Sequence, residues 1–284
     1  MIEKKTLRFM FIGDLVGQPG VALFKKWAPQ LKAKFKIDAI IVNGENSSPK
    51  GNGIGLQEIK ELKESGATVI TTGNHAFDEK NVYGAFDERD DFIRPANFPA
   101  GCYGKGHALL TVENHTVAVV NLHGRVFSKD LLDCPFKAID SLLSFLRHKT
   151  PIVFVDFHAE ATSEKKAMGL FLDGRVSGVY GTHTHVQTAD EVILPAGTSY
   201  ITDLGSSGAQ FSVIGFQFDG VIKRMMIHHK FGKFMVEKYG PMVFSGIWVE
   251  VDVQTGKALK IERISVTDTE ICQTFTTDDK NAKK

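Results

Sequence analysis

Five short apolar segments of the chain each lead directly into polar residues of the kinds that bind metal ions. Glycine precedes the polar residue in four of the five, and a residue without Cβ leaves room for a ligand close to the backbone. The apolar segments are typical of buried strands, and open α/β sheets place their ligand sites at the carboxyl ends of strands. Carboxylate, amide and imidazole groups without cysteine suit hard or borderline divalent metals, so the pattern predicts a metal-dependent enzyme. The five endings are Asp14, Glu45–Asn46, Asn74–His75, His158 and His183–Thr184–His185.

The H-x-H pair His183 and His185 is the most specific of these signals. The chain is expected to be extended after Gly181, where residues two apart point to the same face, so both imidazoles could reach one site. Glu45 is the candidate bridging ligand, because a carboxylate has two oxygens with which to contact two cations. A surface position is the ordinary alternative for either histidine, but the four similar endings elsewhere favour metal binding.

Three of the neighbouring features also have structural explanations. Turn formation would explain Glu45–Asn46, and a loop amide with a structural hydrogen bond would explain Asn74. Asp78, three residues after His75, could orient that imidazole, although capping of the following helix is the more common role for such a residue. The repetition of similar strand endings favours the functional interpretation of the amides.

Strands and helices alternate along the first part of the chain, which predicts an α/β fold. A hairpin follows around Glu113–His115, and the chain beyond about residue 190 is mostly strand-like. Pro29 could kink the first helix. One domain is expected over residues 1–275, followed by a polar, disordered tail over 276–284. The predicted strands are 7–12, 39–42, 69–72, 108–112, 116–121, 152–156, 192–194, 199–202, 243–253 and 259–264, and the predicted helices are 21–34, 56–65, 136–146 and about 164–170, the last with Ser163 as its N-cap.

Composition narrows the classes of partner. The chain of 284 residues has a formal charge of +1 at pH 7 and scattered basic residues, which argues against a duplex nucleic acid or an anionic membrane and favours a small substrate. Cys102, Cys134 and Cys272 are far apart and in no paired-thiol spacing, as expected in a reducing compartment. No segment approaches the roughly 20 apolar residues that span a bilayer, so we expect a cytoplasmic protein.

In order and spacing, the five endings resemble the five sequence blocks of the calcineurin-like metallophosphoesterases. Three longer stretches resemble the bacterial YmdB-like branch, whose members act as 2′,3′-cyclic nucleotide phosphodiesterases. Two positions depart from the wider superfamily, because Val16 replaces its usual histidine and Glu45–Asn46 its usual second-block aspartate. The YmdB-like branch shares both replacements. The stretches are 94–99, 156–165 and 181–190, within a resemblance that runs from about residue 7 to 264.

The resemblance implies a four-layer αββα sandwich of two mixed β-sheets, the metallophosphoesterase fold. It also implies two divalent or trivalent metal ions per chain, with iron or manganese favoured and zinc as an alternative. His75 binds neither ion in this scheme and acts as the general acid, while a hydroxide that bridges the ions attacks phosphorus. The implied ligands are Asp14, Glu45, Asn46 and His185 for one ion, and Glu45, Asn74, His158 and His183 for the other.

The implied activity is hydrolysis of cyclic nucleotides, above all 2′,3′-cyclic nucleotides. The expected partner is a small cyclic nucleotide or the phosphodiester at an RNA end, with neither duplex nucleic acid nor membrane, and homo-oligomer formation is left open. The alternatives are a phosphomonoesterase or linear phosphodiesterase, a regulator that binds RNA or protein and retains the metal site, and a metallo-β-lactamase or amidohydrolase fold. Amidohydrolases place their H-x-H after the first strand, where this chain has Asp14. The sequence does not identify which phenylalanines contact a base.

Overall fold

The computed structural model describes residues 5–227 and 233–271. The tail predicted over 276–284 lies outside these ranges, as do the adjacent His228 and His229, for which surface positions are expected because neighbouring residues of a strand face opposite sides. The strands are β1 (Thr6–Ile12), β2 (Asp14–Leu15), β3 (Ala39–Asn43), β4 (Val69–Thr71), β5 (His107–Val112), β6 (His115–His123), β7 (Val153–His158), β8 (Gly178–Thr182), β9 (Val192–Ile193), β10 (Ser199–Ile201), β11 (Ser206–Ala209), β12 (Met242–Asp252) and β13 (Ala258–Asp268). The α-helices are α1 (Gly17–Phe35), α2 (Leu56–Glu64), α3 (Tyr83–Glu88), α4 (Pro135–Leu146), α5 (Thr162–Leu172) and α6 (Phe218–Ile227).

These strands form two mixed β-sheets. The first has seven strands in the order β2-β11-β12-β1-β3-β4, with β13 paired to β12. Strands β1, β3 and β4 are parallel, whereas β12 is antiparallel to β1. The second has six strands in the order β5-β6-β7-β8-β10-β9, in which β6, β7, β8 and β10 are parallel. The parallel strands of each sheet therefore end at one common edge.

The central position of strand β1 explains why residues 9–12 form a continuous apolar run. Successive side chains of a strand point to opposite faces, and here both faces are covered. Phe9 and Phe11 pack into the cluster between the two sheets, whereas Met10 and Ile12 pack into the cluster on the other face. Burial of each such side chain contributes about 1.5–3 kcal/mol, so the run fixes this strand in the centre of the fold.

Three separate apolar clusters define the layers. The first packs Phe24 of α1 and Leu62 of α2 against the outer face of the first sheet. The second lies between the sheets, where the rings of Phe11 and Tyr180 have centroids 4.4 Å apart. The third packs α4 and α5 against the outer face of the second sheet, with Met168 among its buried residues. Three interfaces require four layers, so the predicted αββα sandwich is confirmed.

Three local features differ from the sequence-based expectation. Helix α1 begins at Gly17, four residues early, and continues through Pro29. Ser163 is not the N-cap of α5, because the backbone of Lys165 already donates to the Ala161 carbonyl and Ala161 occupies the cap position. Helix α6 lies within a region that the pattern presents as mostly strand. Within the described ranges, no helix combines the length and the apolar character needed to cross a membrane.

Candidate metal-binding active site

The predicted site residues follow the carboxyl ends of strands from both sheets. Asp14 follows β1, Glu45 follows β3 and Asn74 follows β4 in the first sheet, while His158 ends β7 and His183 follows β8 in the second. Since the two sheets face each other, these ends meet at one edge of the sandwich. The carboxylates of Asp14 and Glu45 and the His158 imidazole are buried there.

Four potential ligand atoms converge around His158. Its Nε2 atom lies 2.9 Å from Glu45 Oε1, 3.0 Å from Asn74 Oδ1 and 2.9 Å from His183 Nδ1. An imidazole nitrogen has a single hydrogen or lone pair in the ring plane and cannot form three good hydrogen bonds at once. Neighbouring ligand atoms of an octahedral ion with bonds of about 2.1 Å lie about 3 Å apart. The donor set therefore fits a metal ion.

Asp14, Asn46 and His185 form the adjoining part of the site. Asp14 Oδ2 accepts a hydrogen bond from the backbone of His183 at 3.1 Å, and Asp14 Oδ1 lies 3.8 Å from His185 Nε2. Asp14 Oδ1 and Asn46 Oδ1 are buried without a hydrogen-bond partner among the described residues. A buried unsatisfied acceptor costs about 1–3 kcal/mol, which a cation bound by these oxygens would offset. This half of the site also fits a metal ion.

The electrostatics of the site favour cations. Burial, followed by the neighbouring carboxylates Glu45 and Asp203, raises the pKa of Asp14 well above its ordinary value. Burial lowers the pKa of His158 well below its ordinary value, and it also lowers the pKa values of His183 and His185. Imidazoles bind metals in their neutral form, which these pKa values favour. A bound cation would also relieve the repulsion among the crowded carboxylates.

A buried relay determines which nitrogen of His158 is free. His158 Nδ1 lies 2.9 Å from Thr182 Oγ1, and that hydroxyl donates to Asp156 Oδ1 at 2.7 Å. Because the hydroxyl hydrogen is directed at Asp156, Thr182 Oγ1 accepts the hydrogen of Nδ1, which leaves the lone pair of Nε2 for the cluster. Burial raises the pKa of Asp156 to about 6. Sequence reasoning gave Asp156 no role, although Asp156 and His158 are two apart in β7 and share a face.

The H-x-H segment is not extended, and this expectation was wrong. Strand β8 ends at Thr182, and His183 and His185 have φ values of 97° and 64°. Both imidazoles nevertheless reach the site, His183 beside His158 and His185 beside Asp14. Positive φ is unfavourable for residues with a side chain, so the surrounding structure has to hold this turn.

A buried ion pair holds the H-x-H turn. Asp203 Oδ2 accepts hydrogen bonds from the backbone and hydroxyl of Thr184 at 3.1 and 2.6 Å, and it lies 2.6 Å from Lys165 Nζ. Both charged side chains are almost fully buried. Sequence reasoning assigned neither residue a role. Asp203 lies after β10 and Lys165 lies on helix α5, and both are 19 residues from Thr184 in the chain, so no local pattern connects them with the turn.

His75 has different partners from the other histidines. Its Nδ1 atom lies 2.8 Å from Asp78 Oδ2, and its backbone donates to Glu45 Oε2 at 3.2 Å. Asp78 therefore contacts the imidazole rather than capping the next helical turn, where no side-chain cap is present. Gly73 lets the backbone before His75 lie close to the ligand cluster, because a Cβ at this position would lie 2.2 Å from an atom of the His158 ring. His75 Nε2 remains available to a bound molecule.

His123 is a further site residue that the sequence reasoning missed. It ends strand β6, its ring centroid lies 5.6 Å from that of His158, and its Nε2 atom is buried without a hydrogen-bond partner among the described residues. Together with Asn74 and His183 it borders a cavity of about 450 Å³. The apolar run before His123 carries the same signal as the five recognised endings and could have identified it.

A larger cleft of about 930 Å³ also borders the cluster. Glu45, Asn46, His75, His183 and His185 are among its lining residues. The cleft is large enough for a nucleotide-sized molecule, since such ligands occupy cavities of roughly 300–1,000 Å³. The cluster thus borders both a large cleft and a smaller cavity.

Asp173 and Arg175, in a segment Asp-Gly-Arg whose guanidinium could contact phosphate, lie outside the site. Arg175 pairs with Asp140 on helix α4, and Asp173 accepts backbone hydrogen bonds from Ala196 and Thr198. Their role is therefore structural. The residues precede β8 and lie at the opposite edge of the second sheet from the cluster.

Comparisons with known proteins agree with this geometry. The 2′,3′-cyclic-nucleotide 2′-phosphodiesterase of Bacillus subtilis is 45% identical over 262 residues, which cover 92% of this chain and 98% of that protein. A crystal structure of a phosphatase from Mycoplasma pneumoniae superposes with a TM-score of 0.86 at 35% identity, covering 95% of this chain and 96% of that one. A crystal structure of a hypothetical protein from Thermus thermophilus gives a TM-score of 0.84 at 37% identity, covering 92% of this chain and 100% of that one.

The same relationship appears at the level of the family. The model of the YmdB-like protein family matches residues 10–264, which agrees with the extent of the resemblance noted in the sequence. The predicted class of enzyme, a phosphoesterase, is confirmed by the activities for which the relatives are named. With 45% identity over nearly the whole length and a family match over most of its residues, the chain belongs to the YmdB-like protein family.

Proposed function

We propose that this protein is a dinuclear metal-dependent phosphodiesterase that hydrolyses 2′,3′-cyclic nucleotides. The convergence of carboxylate, amide and imidazole ligands around His158 is the observation that carries the proposal. The name of the Bacillus subtilis relative, which covers nearly the same length, supports the choice of substrate. The balanced charge of the chain disfavours a duplex substrate.

The proposed ligands form two sets that share Glu45. Two cations in these positions would activate water at neutral pH and neutralise the charge that develops on the phosphoryl oxygens. Mixed nitrogen and oxygen ligands favour iron or manganese, with zinc as an alternative. One set contains Glu45, Asn74, His158 and His183, and the other contains Asp14, Glu45, Asn46 and His185.

His75 is the proposed general acid. Asp78 holds its Nδ1 atom, so Nε2 is the atom that faces a substrate in the cleft. Hydrolysis adds water across the bond between phosphorus and the ribose 2′ oxygen and leaves a nucleoside 3′-phosphate. His75 Nε2 gives its proton to the departing 2′ oxygen, a transfer that is typically worth roughly 10² to 10⁴ in rate.

Metal analysis and a substrate panel test the proposal together. The purified protein is expected to carry about two transition-metal ions per chain, to lose activity on chelation and to regain it when the ions are returned. Turnover of 2′,3′-cyclic AMP is expected to exceed that of 3′,5′-cyclic AMP, a linear diester and a phosphomonoester. A faster reaction with the linear diester or the phosphomonoester would select the alternative enzyme class, and a faster reaction with 3′,5′-cyclic AMP would overturn the preference for 2′,3′-cyclic nucleotides. Full metal content without turnover of any of them would favour the regulator.

A further inference from the structure

The large cleft has an aromatic floor next to the candidate metal centre. Phe216 and Phe234 are both half-buried, with ring centroids 5.7 Å apart and planes inclined by 48°. Ile214 and Val236 line the cleft beside them. Such a floor offers flat apolar area on which a nucleobase can stack, an interaction worth about 1–3 kcal/mol per base.

Backbone hydrogen bonds fix this floor relative to the metal centre. Gln217 donates to the Met235 carbonyl at 2.8 Å, and Glu237 donates to the Gly215 carbonyl at 2.9 Å, so the two segments that carry the rings are paired. His185 Nδ1 donates to the Ile214 carbonyl at 3.0 Å. The floor is thus connected directly to a proposed metal ligand.

Basic side chains also line the same cleft. Arg224, Lys233 and Lys238 are among its lining residues, and none of them forms an ion pair with a carboxylate in the described part of the chain. Lys50, by contrast, pairs with Glu79 at 2.9 Å. The Arg224 guanidinium lies 4.9 Å from the centroid of the Phe234 ring, so this cation lies directly beside the aromatic floor.

The smaller cavity beside the cluster lacks this combination. Asp130 and Lys129 line it, its aromatic residue Phe127 is 83% exposed, and Glu160 borders both this cavity and the large cleft. A nucleotide strand whose end is bound at the metal centre would therefore extend along the large cleft. Aromatic side chains next to unpaired cations are the combination with which proteins bind single-stranded nucleic acid.

We propose that the substrate of this site is the 2′,3′-cyclic phosphate at the end of a single RNA strand, and that a free cyclic nucleotide is its shortest form. The terminal base stacks on Phe216 and Phe234, and the next phosphate along the strand binds to Arg224 and Lys233. This inference rests on the proposed function. It predicts that an added nucleotide increases kcat/KM, because the second phosphate reaches cations that a mononucleotide leaves unused.

The test compares 2′,3′-cyclic AMP with an adenylyl dinucleotide that ends in a 2′,3′-cyclic phosphate. The dinucleotide is expected to have a kcat/KM roughly tenfold higher, the value of one charge-assisted contact. Arg224→Gln is expected to remove most of that advantage. Arg175→Gln is the matched control, because Arg175 also lies over a phenylalanine ring, at 4.7 Å from the Phe171 centroid, but at the far edge of the sheet. It is expected to leave the ratio of the two kcat/KM values unchanged.

A binding measurement separates this inference from the proposed function. Anisotropy of a fluorescent oligoadenylate of about six nucleotides is expected to show binding that weakens roughly tenfold in Arg224→Gln and not in Arg175→Gln. Absence of turnover on both cyclic substrates with this binding retained would overturn the proposed hydrolysis and leave only the binding of a single strand to the aromatic floor and Arg224. Hydrolysis of the mononucleotide with no chain-length advantage and no effect of Arg224→Gln would overturn the RNA-end inference alone. Failure of both measurements would overturn both.

Discussion

His75 is the residue whose contacts best separate catalysis from metal binding. Its imidazole contacts Asp78 rather than the ligand cluster, so His75→Ala is expected to keep the metal content and to lower turnover by roughly 10² to 10⁴. With a nitrophenolate leaving group, which needs little protonation, the loss should be much smaller. Metal analysis and kinetics on both kinds of substrate measure this. Loss of metal together with activity would identify His75 as a ligand.

Glu45 and the paired histidines are expected to differ in how many ions each controls. Glu45 is the proposed bridge, so Glu45→Ala removes a ligand from both ions and leaves two dications poorly shielded from each other in a low-dielectric cleft. We expect at most one tightly bound ion in Glu45→Ala, and about one in each of His183→Ala and His185→Ala. Calorimetric titration with metal analysis of the three variants provides the measurement. Two tight ions in Glu45→Ala would assign the bridge to another carboxylate, such as Asp14.

Thr182 connects the buried Asp156 carboxylate to the His158 ring. Thr182→Val keeps the shape and removes the oxygen that accepts the Nδ1 hydrogen, so metal affinity is expected to fall by roughly 10 to 100-fold. Thr71→Val is the matched control, because Thr71 also donates to Asp156 but has no contact with the imidazole. Competition with a chelator gives the affinities. Equal losses in the two variants would mean that the relay acts only through the charge of Asp156.

At the scale of the elements, helix α5 supplies the cation that holds the H-x-H turn. Lys165→Met leaves the buried Asp203 carboxylate without its lysine, and removal of one partner of such a pair typically costs about 3–5 kcal/mol. Lys166→Met, one residue along the helix, breaks the surface pair with Asp190 and a cation–π contact with Tyr200, and is expected to cost about 0–2 kcal/mol.

Urea denaturation of both variants measures these free energies of unfolding, and metal analysis reports the state of the turn. We expect metal to be lost only from Lys165→Met. A Lys165→Met protein with unchanged stability and full metal content would show that the backbone bond from Thr184 to Asp203 is sufficient to hold the turn.

At the scale of the whole molecule, the two sheets meet at a cluster of buried carboxylates. Burial and the neighbouring carboxylates raise the pKa of Asp14, and a group whose pKa is raised by folding contributes stability at low pH that is lost as the pH rises through the folded pKa. The metal-free protein therefore becomes less stable as Asp14 ionises, whereas bound cations compensate its charge. The difference in Tm between metal-loaded and chelated protein is expected to widen as the pH rises above about 4, the ordinary pKa of an aspartate. Thermal unfolding at several pH values measures it, and a constant or narrowing difference would contradict the proposed charge balance.

The sequence alone determined the fold class, the family and most of the residues that cluster at the site, with His123 as the exception. Strand β1 and the four later strands that end in candidate ligands are recognisable as short apolar runs, which are typical of strands buried on both faces. The carboxyl ends of parallel strands share one edge of a sheet whatever the packing around them. The positions of Asp14, Glu45, Asn74, His158 and His183 followed from that geometry.

Only the tertiary structure decided how these residues are held and what surrounds them. The H-x-H turn has positive φ at both histidines because Asp203 and Lys165, distant in the chain, hold Thr184 in place. Phe216 and Phe234 were two of many phenylalanines until the pairing of their segments placed both in the cleft that His185 also lines. Such contacts depend on the packing of whole elements, and no short-range pattern in a sequence encodes which distant side chain will fill a given space.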